Sequence, residues 1–284
     1  MGKRILLVLL SLLLVCSVFG CTPAAEQEDP GEDPGAETGA ETGTEPGEVA
    51  TAVEGKFIVG FDQNFPPMGF VGDDGEFTGF DLELAAEVAD RLGLEVVLQP
   101  IAWDAKDMEL STKNIDCIWN GFTINGREDQ YTWTAPYMSN NQVFVVRADA
   151  GITDLADLAG KTVMAQVDSS ADKALEEKPD LKDTFGEYLT AADYNTALMD
   201  LEAGAVDVVA MDDTFANYYI EIKGDNLVIL DETLSPEDYG VGFLLGNEAL
   251  RDTVQAALEA MAGDGTMAAI SDKWFGKDIT TIGK

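Results

Sequence analysis

From residue 56 onward, apolar residues occur in two patterns: short continuous runs and repeats at helical spacing. Short continuous apolar runs are typical of buried strands, whereas Leu84, Val88 and Leu92 repeat at the spacing of an amphipathic helix that Gly93 ends. The first part of the chain is predicted to contain strands at 56–61, 94–101 and 115–119, a hairpin at 68–80 and helices at 81–92 and 103–112. This alternation predicts a mostly parallel sheet with helices on its faces.

The same alternation recurs in the second part of the chain. The predicted strands are 142–147, 161–166, 206–211 and 226–230, and the predicted helices are 152–159, 170–177, 194–203 and 215–222, followed by an extended run at 239–245 and a largely helical stretch at 248–275. We therefore predict an α/β protein with two lobes, lobe 1 comprising 56–142 and 242–284 and lobe 2 comprising 143–241. Chain crossings near 142–147 and 236–242 would form a hinge, and a ligand would bind in the cleft between the lobes.

The N-terminus has the organisation of an export signal. Two basic residues and an apolar run at 5–19 precede the small residue Gly20, which predicts a signal peptide over 1–20. The apolar run is shorter than the ~20 residues of a membrane-spanning helix. Cys21 resembles the acylated cysteine of a bacterial lipobox, although the bulky Phe19 departs from that pattern and a plain secretory signal is the alternative. We expect an exported protein anchored by lipid (palmitate) on Cys21 to the outer face of the cell membrane.

Composition narrows the classes of function. Residues 21–55 are rich in Pro, Gly, Ala, Thr and Glu without any aromatic residue, which predicts a disordered acidic tether. The formal net charge of −36 argues against binding to nucleic acid, and the absence of histidine excludes imidazole catalysis and histidine-ligated metal. We expect no catalytic residue, metal or cofactor. Cys117 is the cysteine left in the domain, and we interpret it as buried filler because it has no partner for a disulfide.

Short motifs between residues 56 and 276 occur together in the order of a known family. They are Gly60-Phe61-Asp62, Phe65-Pro66-Pro67, Gly79-Phe80-Asp81-Leu82-Glu83-Leu84, Ile115-Asp116, Asn120-Gly121-Phe122-Thr123-Ile124, Arg127, Thr132-Trp133-Thr134-Ala135-Pro136-Tyr137, Leu158-Ala159-Gly160-Lys161, Gly204-Ala205-Val206-Asp207, Met211-Asp212, Tyr239-Gly240-Val241-Gly242-Phe243 and Lys273-Trp274-Phe275-Gly276. In this order they resemble the family 3 extracellular solute-binding proteins of amino-acid ABC importers. The resemblance implies a two-lobe periplasmic-binding-protein-like fold of type II that acts as a monomer, closes on a free amino acid and delivers it to a membrane permease with a cytoplasmic ATPase.

A free amino acid requires receptors for its carboxylate and its ammonium group. The planar fork of Arg127 matches a carboxylate, although the residue is followed by two acids and is alternatively a surface arginine. The resemblance assigns Arg127 to the ligand carboxylate and Gly121 and Thr123 to both ends of the ligand backbone, with Asn120 as a weaker candidate. The segment from Thr123 to Arg127 is shorter than in the usual family pattern, which puts the reach of Arg127 in question.

The second lobe supplies the remaining candidates for the ligand backbone. Ser169 and Ser170 follow a predicted strand and begin a predicted helix, where they can bind a carboxylate, cap the helix, or do both. Asp168 stands where the family usually has glycine and places a negative charge beside the expected carboxylate. Asp212 ends a predicted strand at the family's ammonium-binding position, and the adjacent Asp213 is the solvent-facing alternative.

Candidates for the side-chain pocket are Asp62, Phe65, Trp103 and Phe122. The aromatic rings either enclose a flat or cationic side chain or belong to the ordinary core, and Asp62 either bonds a polar tip or caps a turn. Asp62 and Trp103 together favour a polar or basic ligand such as arginine, glutamine or cystine, without selecting one of them.

Three other classes of protein are alternatives to this interpretation. The same fold resembles periplasmic dehydratases that act on prephenate-like acids, so an enzyme is the main alternative, although the chain lacks histidine and an obvious spare general acid. A sensor would need a later apolar segment to cross the membrane, and an adhesin would use its outer surface instead of a cleft.

Overall fold

The computed structural model describes residues 50–224 and 226–284, so the predicted signal peptide, Cys21 and most of the predicted tether lie outside the described residues. The strands are β1 Lys56–Phe61, β2 Asn64–Phe65, β3 Gly69–Val71, β4 Phe77–Thr78, β5 Glu95–Pro100, β6 Cys117–Ile118, β7 Tyr131–Trp133, β8 Met138–Arg147, β9 Thr162–Gln166, β10 Glu187–Ala191, β11 Val208–Asp212, β12 Leu227–Ile229, β13 Ser235–Tyr239 and β14 Gly242–Leu244. The helices are α1 Phe80–Leu92, α2 Lys106–Ser111, α3 Ser170–Glu176, α4 Pro179–Lys182, α5 Tyr194–Ala203, α6 Asp213–Lys223, α7 Glu248–Asp264 and α8 Thr266–Phe275, with 3₁₀ turns at Trp103–Ala105 and Leu155–Leu158. Within the described ranges, none of the helices combines the length and apolar character needed to cross a membrane.

The first lobe is built on a five-stranded sheet in the order β5-β1-β6-β14-β7. Strand β1 runs parallel to β5 and β6, whereas β14 runs antiparallel to β6 and β7. A small antiparallel sheet of β2, β3 and β4 follows β1 along the chain. The main sheet is mixed, where the sequence predicted a mostly parallel one, because β14 enters it from the second lobe in the opposite direction.

The second lobe has a sheet in the order β10-β9-β11-β8-β12, and β13 also pairs with β8. Strands β10, β9 and β11 are parallel, whereas β8 runs antiparallel to β11, β12 and β13. This sheet is also mixed, because β8 arrives from the first lobe. The hydrophobic pattern did not reveal β10 because four of its five side chains are exposed or half-buried.

The chain passes between the two sheets at residues 134–137 and 240–241. Strand β8 begins at Met138, which pairs with Tyr239, so residues 138–142 lie in the second sheet and not in the first lobe as the sequence analysis placed them. Only the apolar end of β8 was recognisable in the sequence, because Ser139, Asn140 and Asn141 interrupt its hydrophobic pattern. The antiparallel pair of β8 and β13 therefore starts at the crossing itself.

Helix α1 confirms the amphipathic stripe predicted for it. Leu84 and Val88 are fully buried, Leu92 packs partly against the same core, and Gly93 ends the helix with a left-handed φ of 67°. The long helical stretch near the C-terminus divides into α7 and α8 at Gly265, whose φ is 86°. A left-handed glycine ends one helix and permits the next to start in a new direction.

The end of the predicted tether belongs to the first lobe. Ala52 N donates to Asp116 Oδ1 at 2.6 Å, and Glu95 N donates to the Gly55 carbonyl at 2.9 Å. Composition alone predicts a tether that extends to residue 55. Composition could not reveal these contacts, because both partners come from strands or loops far along the chain.

Candidate functional site

The carboxyl ends of strands from both sheets meet at a cavity between the lobes. The cavity is small in this structure: its enclosed space is about 10 Å³, roughly room for a single water molecule. Its lining residues are Asp62, Phe65, Trp103, Asn120, Gly121, Gln166, Ser169, Ser170 and Asp212. All of these except Gln166 are candidates from the sequence.

Arg127 lies beside the cavity and is 1% exposed. Its Nη1 donates to the Thr123 carbonyl at 3.3 Å and, across the cleft, to Ser170 Oγ at 2.8 Å, while its Nη2 donates to the Asp168 carbonyl at 3.3 Å. Its Nε has no hydrogen-bond partner among the described residues. A buried donor left without a partner costs about 1–3 kcal/mol, so this guanidinium is suited to receive an anionic group.

The carboxylate of Asp168 pairs with a lysine that the sequence analysis did not single out. Lys106, on α2 of the first lobe, is 1% exposed and donates to the Asp168 carboxylate and to the Trp103 carbonyl at 3.3 Å. Burial lowers the pKa of Lys106, and the Asp168 carboxylate opposes that shift. The φ of Asp168 is 57°, a conformation that glycine adopts more readily. The ion pair compensates the acid beside Arg127 and connects the two lobes.

Asp62 places a buried carboxylate at the side-chain end of the cavity. It is 5% exposed, and its two oxygens accept from Asn64 N at 2.8 Å and from Gln166 Nε2 of the second lobe at 2.8 Å. Burial raises the pKa of Asp62, and these hydrogen bonds oppose the shift. Its own N–H donates to Asn120 Oδ1 at 3.0 Å, which leaves Asn120 Nδ2 without a partner among the described residues. This end of the cavity thus offers both an acid and a free amide donor.

The aromatic candidates separate into two groups. Phe65 and Trp103 line the cavity, whereas Phe122 does not. The Phe122 ring is fully buried in the core, 5.5 Å from Trp103 and 4.8 Å from Trp133. The Arg127 guanidinium carbon lies 5.2 Å from the centre of the same ring, so Phe122 packs against the arginine and is not part of the cavity wall.

A buried acid fixes the backbone of Gly121. The φ of Gly121 is 54°, and a Cβ at this position would come within 2.9 Å of Phe65 Cε1. Its N–H donates at 2.6 Å to Asp81 Oδ2, which also accepts from the Tyr137 hydroxyl at 2.8 Å. Burial raises the pKa of Asp81 to about 7, although both hydrogen bonds oppose the shift. Asp81 therefore shapes the cavity wall without lining it.

Asp212 faces the cavity from the end of β11 and is 4% exposed. Its Oδ1 accepts from the Tyr239 hydroxyl at 2.6 Å and from Asn140 Nδ2 at 3.3 Å. Burial raises the pKa of Asp212. Asp213, the alternative candidate, starts α6 and accepts a hydrogen bond from Asn217 of the same helix. Of these two acids, Asp212 is the one on the cavity wall.

Thr123 and the two serines each make a contact within the protein. The Thr123 hydroxyl donates to Glu237 Oε2 at 2.8 Å. Ser169 Oγ accepts from Asp172 N at 3.1 Å and caps α3, while Ser170 Oγ accepts from Arg127. Thr123 does not line the cavity, whereas both serines do.

Four residues of the site were not singled out from the sequence. Gln166 ends a strand that was predicted, so its place at a carboxyl strand end was a signal that could have found it. Asp81 lies in a family motif but received no role. Lys106 and Glu237 carry no local signal, because their partners Asp168 and Thr123 lie 62 and 114 residues away in sequence.

Side chains that could bind a metal ion are dispersed over the described residues. Within the part of the chain that the structure describes, no three acids or cysteines are grouped to hold a metal ion. Cys117 is fully buried in β6, and burial raises the pKa of its thiol.

Comparisons with known proteins support one family. A model of the bacterial extracellular solute-binding proteins, family 3, matches residues 57–277. The L-cystine-binding protein TcyJ of Escherichia coli strain K12 is 34% identical over 229 residues, which cover 80% of this chain and 85% of the relative.

Two solved structures share the fold. One is a substrate-binding protein of an ABC uptake transporter from Streptococcus pneumoniae with bound histidine. It has a TM-score of 0.77 at 36% identity, and the match covers 80% of this chain and 94% of the matched chain. The structure of Tv2483 bound to L-arginine has a TM-score of 0.78 at 27% identity, covering 81% of this chain and 94% of its own.

Proposed function

The chain belongs to the bacterial extracellular solute-binding proteins, family 3, as its sequence motifs predicted, and we propose that it captures a free α-amino acid with a polar or basic side chain. In this proposal the two lobes close on the ligand by a hinge motion. The loaded protein then delivers the amino acid to a membrane permease with a cytoplasmic ATPase. The relatives support this role, since they bind cystine, histidine or arginine according to their names and titles.

The observation that carries the proposal is a pair of opposite buried charges at one cavity. Arg127 of the first lobe has an unpartnered Nε beside Ser170, and Asp212 of the second lobe faces the cavity without an ion-pair partner among the described residues. An α-amino acid carries one carboxylate and one ammonium group, so it compensates both side chains at once. Such a ligand also contacts both lobes and stabilises their closure.

The class of side chain follows from the other end of the cavity. Asp62 offers a buried carboxylate, Asn120 a free amide donor, and Phe65 and Trp103 offer aromatic faces. A guanidinium, ammonium or amide group can donate to the acid while its stem packs on the rings. The full set proposed to hold the ligand is Asp62, Phe65, Trp103, Asn120, Gly121, Thr123, Arg127, Ser169, Ser170 and Asp212, with Phe122 in a supporting position under Arg127.

The dehydratase-like enzyme weighed as the alternative is not supported. The relative from Escherichia coli and the structure from Streptococcus pneumoniae are named as binding proteins. Family 3 proteins are extracellular, so the chain is exported. We propose in addition that the signal peptide is removed before Cys21, that Cys21 is acylated, and that the monomer is held at the outer face of the membrane. Replacing Cys21 with Ser should release the protein into the medium, and an unchanged membrane fraction would contradict the anchor.

The test of the proposed function is calorimetry on the full chain in detergent with a panel of free amino acids. At least one polar or basic amino acid should bind, and Arg127→Ala should weaken binding by about 3 kcal/mol or more, which is about 100-fold or more. Arg91→Ala is the control, since Arg91 pairs with Glu87 and Asp264 on the outer helices. If no amino acid binds, or if Arg127→Ala binds like wild type, the proposal is wrong.

A further inference from the structure

Glu237 is a buried acid that no motif and no assigned role explains. It lies on β13, next to the crossing between the lobes, and is 5% exposed. Its Oε1 accepts from Asn140 Nδ2 at 2.6 Å and from Gln142 Nε2 at 2.8 Å. Its Oε2 accepts from the Thr123 hydroxyl at 2.8 Å. All of these donors are neutral, so the carboxyl group has hydrogen bonds but no compensating charge.

Glu237 and Asp212 are held side by side by one amide. Asn140 Nδ2 lies 2.6 Å from Glu237 Oε1 and 3.3 Å from Asp212 Oδ1. Among the described residues, no lysine or arginine forms an ion pair with either acid. Two adjacent buried carboxylates without a cation repel each other strongly, and such pairs share a proton.

The surroundings of the pair do not supply the missing charge. Tyr239 of β13 donates to Asp212, and burial, and next the Asp212 charge, raises the pKa of Tyr194 of α5 well above its ordinary value. Burial, and next the Asp212 charge, raises the pKa of Glu237 well above its ordinary value. On its other side Glu237 borders an outer cavity, which is also lined by three charged residues of the α3 segment, Lys173, Glu177 and Lys178. These side chains do not form ion pairs with Glu237. In the described part of the site, two acids, Glu237 and Asp212, therefore face one expected cation, the ammonium group of the ligand.

We propose that Glu237 is the second acid of the ammonium subsite, and that binding of the ligand ammonium group expels the proton that Glu237 shares with Asp212. This inference rests on the proposed function. Before binding, the pair holds one proton and carries one negative charge. When the ammonium group arrives, its positive charge stabilises both carboxylates, the shared proton passes to bulk solvent, and the ammonium keeps its own three protons. Charge and protons balance, because one cation enters the site as one proton leaves it.

The inference also assigns a position to Thr123. Its hydroxyl donates to Glu237, and its carbonyl accepts from Arg127, so one residue contacts both the acid pair and the carboxylate receptor. The ammonium and carboxylate subsites are therefore linked through Thr123. An analogue that keeps the carboxylate but lacks the amino group should bind Arg127 without displacing the proton.

The experiment measures proton release on the full chain in detergent, with the amino acid that binds in the panel above. Calorimetry in two buffers of different ionisation enthalpy gives the number of protons released per ligand. We expect a release that approaches about one proton and an affinity that falls by up to about tenfold per pH unit as the pH is lowered between about pH 8 and about pH 5. The des-amino analogue of the same ligand should release none.

Two variants of β13 separate the effect from a general perturbation of the strand. In Glu237→Gln the side-chain oxygen still accepts from Asn140, and the Thr123 hydroxyl can accept from the new amide. Binding should weaken, because one carboxylate of the ammonium subsite is lost, and proton release should fall to near zero. Asp238→Asn is the matched control, since Asp238 is the neighbouring acid and its carboxylate accepts from the Ser139 hydroxyl near the surface.

The outcomes are distinct. If no amino acid binds, the proposed function fails and this inference with it. If an amino acid binds to wild type without releasing a proton, or if Glu237→Gln releases as many protons as wild type, the inference is wrong and the proposed function stands. The wild-type and des-amino measurements do not depend on the folding of any variant.

Discussion

The ion pair between Lys106 and Asp168 connects the lobes at the mouth of the cleft. Lys106 belongs to the first lobe and Asp168 to the second, so the contact exists only while the lobes are closed. Lys106→Met removes the charge and keeps an unbranched apolar stem that can pack against Trp103. We expect the variant to fold normally and to close less readily.

The size of the effect follows from the exposure of the two partners. The Lys106 side chain is 1% exposed, whereas that of Asp168 is 34% exposed. Exposed ion pairs contribute about 0–1 kcal/mol, and removing one partner of a fully buried pair costs about 3–5 kcal/mol. The pair is intermediate because water can rehydrate Asp168, so closure should lose about 1–2 kcal/mol. Ligand affinity should then fall about 5- to 30-fold, mainly through faster dissociation.

The assay combines calorimetry with stopped-flow dissociation on a double-mutant cycle of Lys106→Met and Asp168→Asn. Asparagine tolerates the left-handed backbone at Asp168, so the second substitution removes charge without new strain. Lys113→Met is the control, because Lys113 is an exposed lysine just after the same helix. Unfolding free energies of the ligand-free proteins should remain close to wild type, since the contact joins the two lobes and exists only while they are closed.

The cycle can refute the reasoning. If Lys106→Met loses as much affinity in the Asp168→Asn background as in wild type, the two residues are not coupled. An affinity equal to that of the Lys113→Met control would also contradict a role of this pair in closure.

Three further predictions concern the cavity wall. Gly121→Ala should weaken ligand binding at least about tenfold by calorimetry, because left-handed alanine costs about 1–2 kcal/mol and its Cβ would meet Phe65 at 2.9 Å. Gly126→Ala is the matched control, since its φ is 76° and its Cβ would make only an ordinary contact with Glu177 Oε1 at 3.7 Å. Asp62→Asn should lower the affinity for a basic amino acid more than for a neutral amide, and equal losses would show that Asp62 does not contact the side chain. Asp81, whose pKa is raised from 3.8 to about 7, binds a proton more tightly in the folded state than in the unfolded state. The unfolding free energy should therefore fall by up to about 4 kcal/mol as the pH rises from about 4 to about 7. Denaturant titrations should show a flatter pH dependence for Asp81→Asn, and an unchanged one would contradict this origin.

The local periodicity of the sequence was sufficient for the elements that carry the site. The stripe of α1, the apolar runs of β1, β9 and β11, and the glycine after α1 are signals within a few residues. Because ligands bind beyond carboxyl ends of strands in α/β sheets, these elements also indicated where Asp62 and Asp212 would stand. The polar start of β8 and the half-exposed β10 were not predicted, because neither segment has a continuous apolar face.

Residue type alone could not decide which aromatic faces the cleft. Phe65 and Phe122 both follow strands of the first sheet, and both were candidates for the pocket. Phe65 lines the cavity, whereas Phe122 packs among Trp103, Tyr131 and Trp133 in the core. The direction of each ring depends on the conformation of the loop that follows the strand. The residue types in an irregular loop do not specify that conformation.

The sequence by itself determined the family, the order of most strands and helices, and the charged groups at their ends, because these depend on side-chain spacing and local backbone preference. The tertiary structure decided which polar side chains meet across the cleft. Lys106 meets Asp168, Gln166 meets Asp62 and Glu237 meets Thr123, over 62 to 114 residues of chain. Each contact joins a residue of one lobe to a residue of the other. It therefore forms only when the two lobes come together, and the sequence near either residue does not reveal its partner.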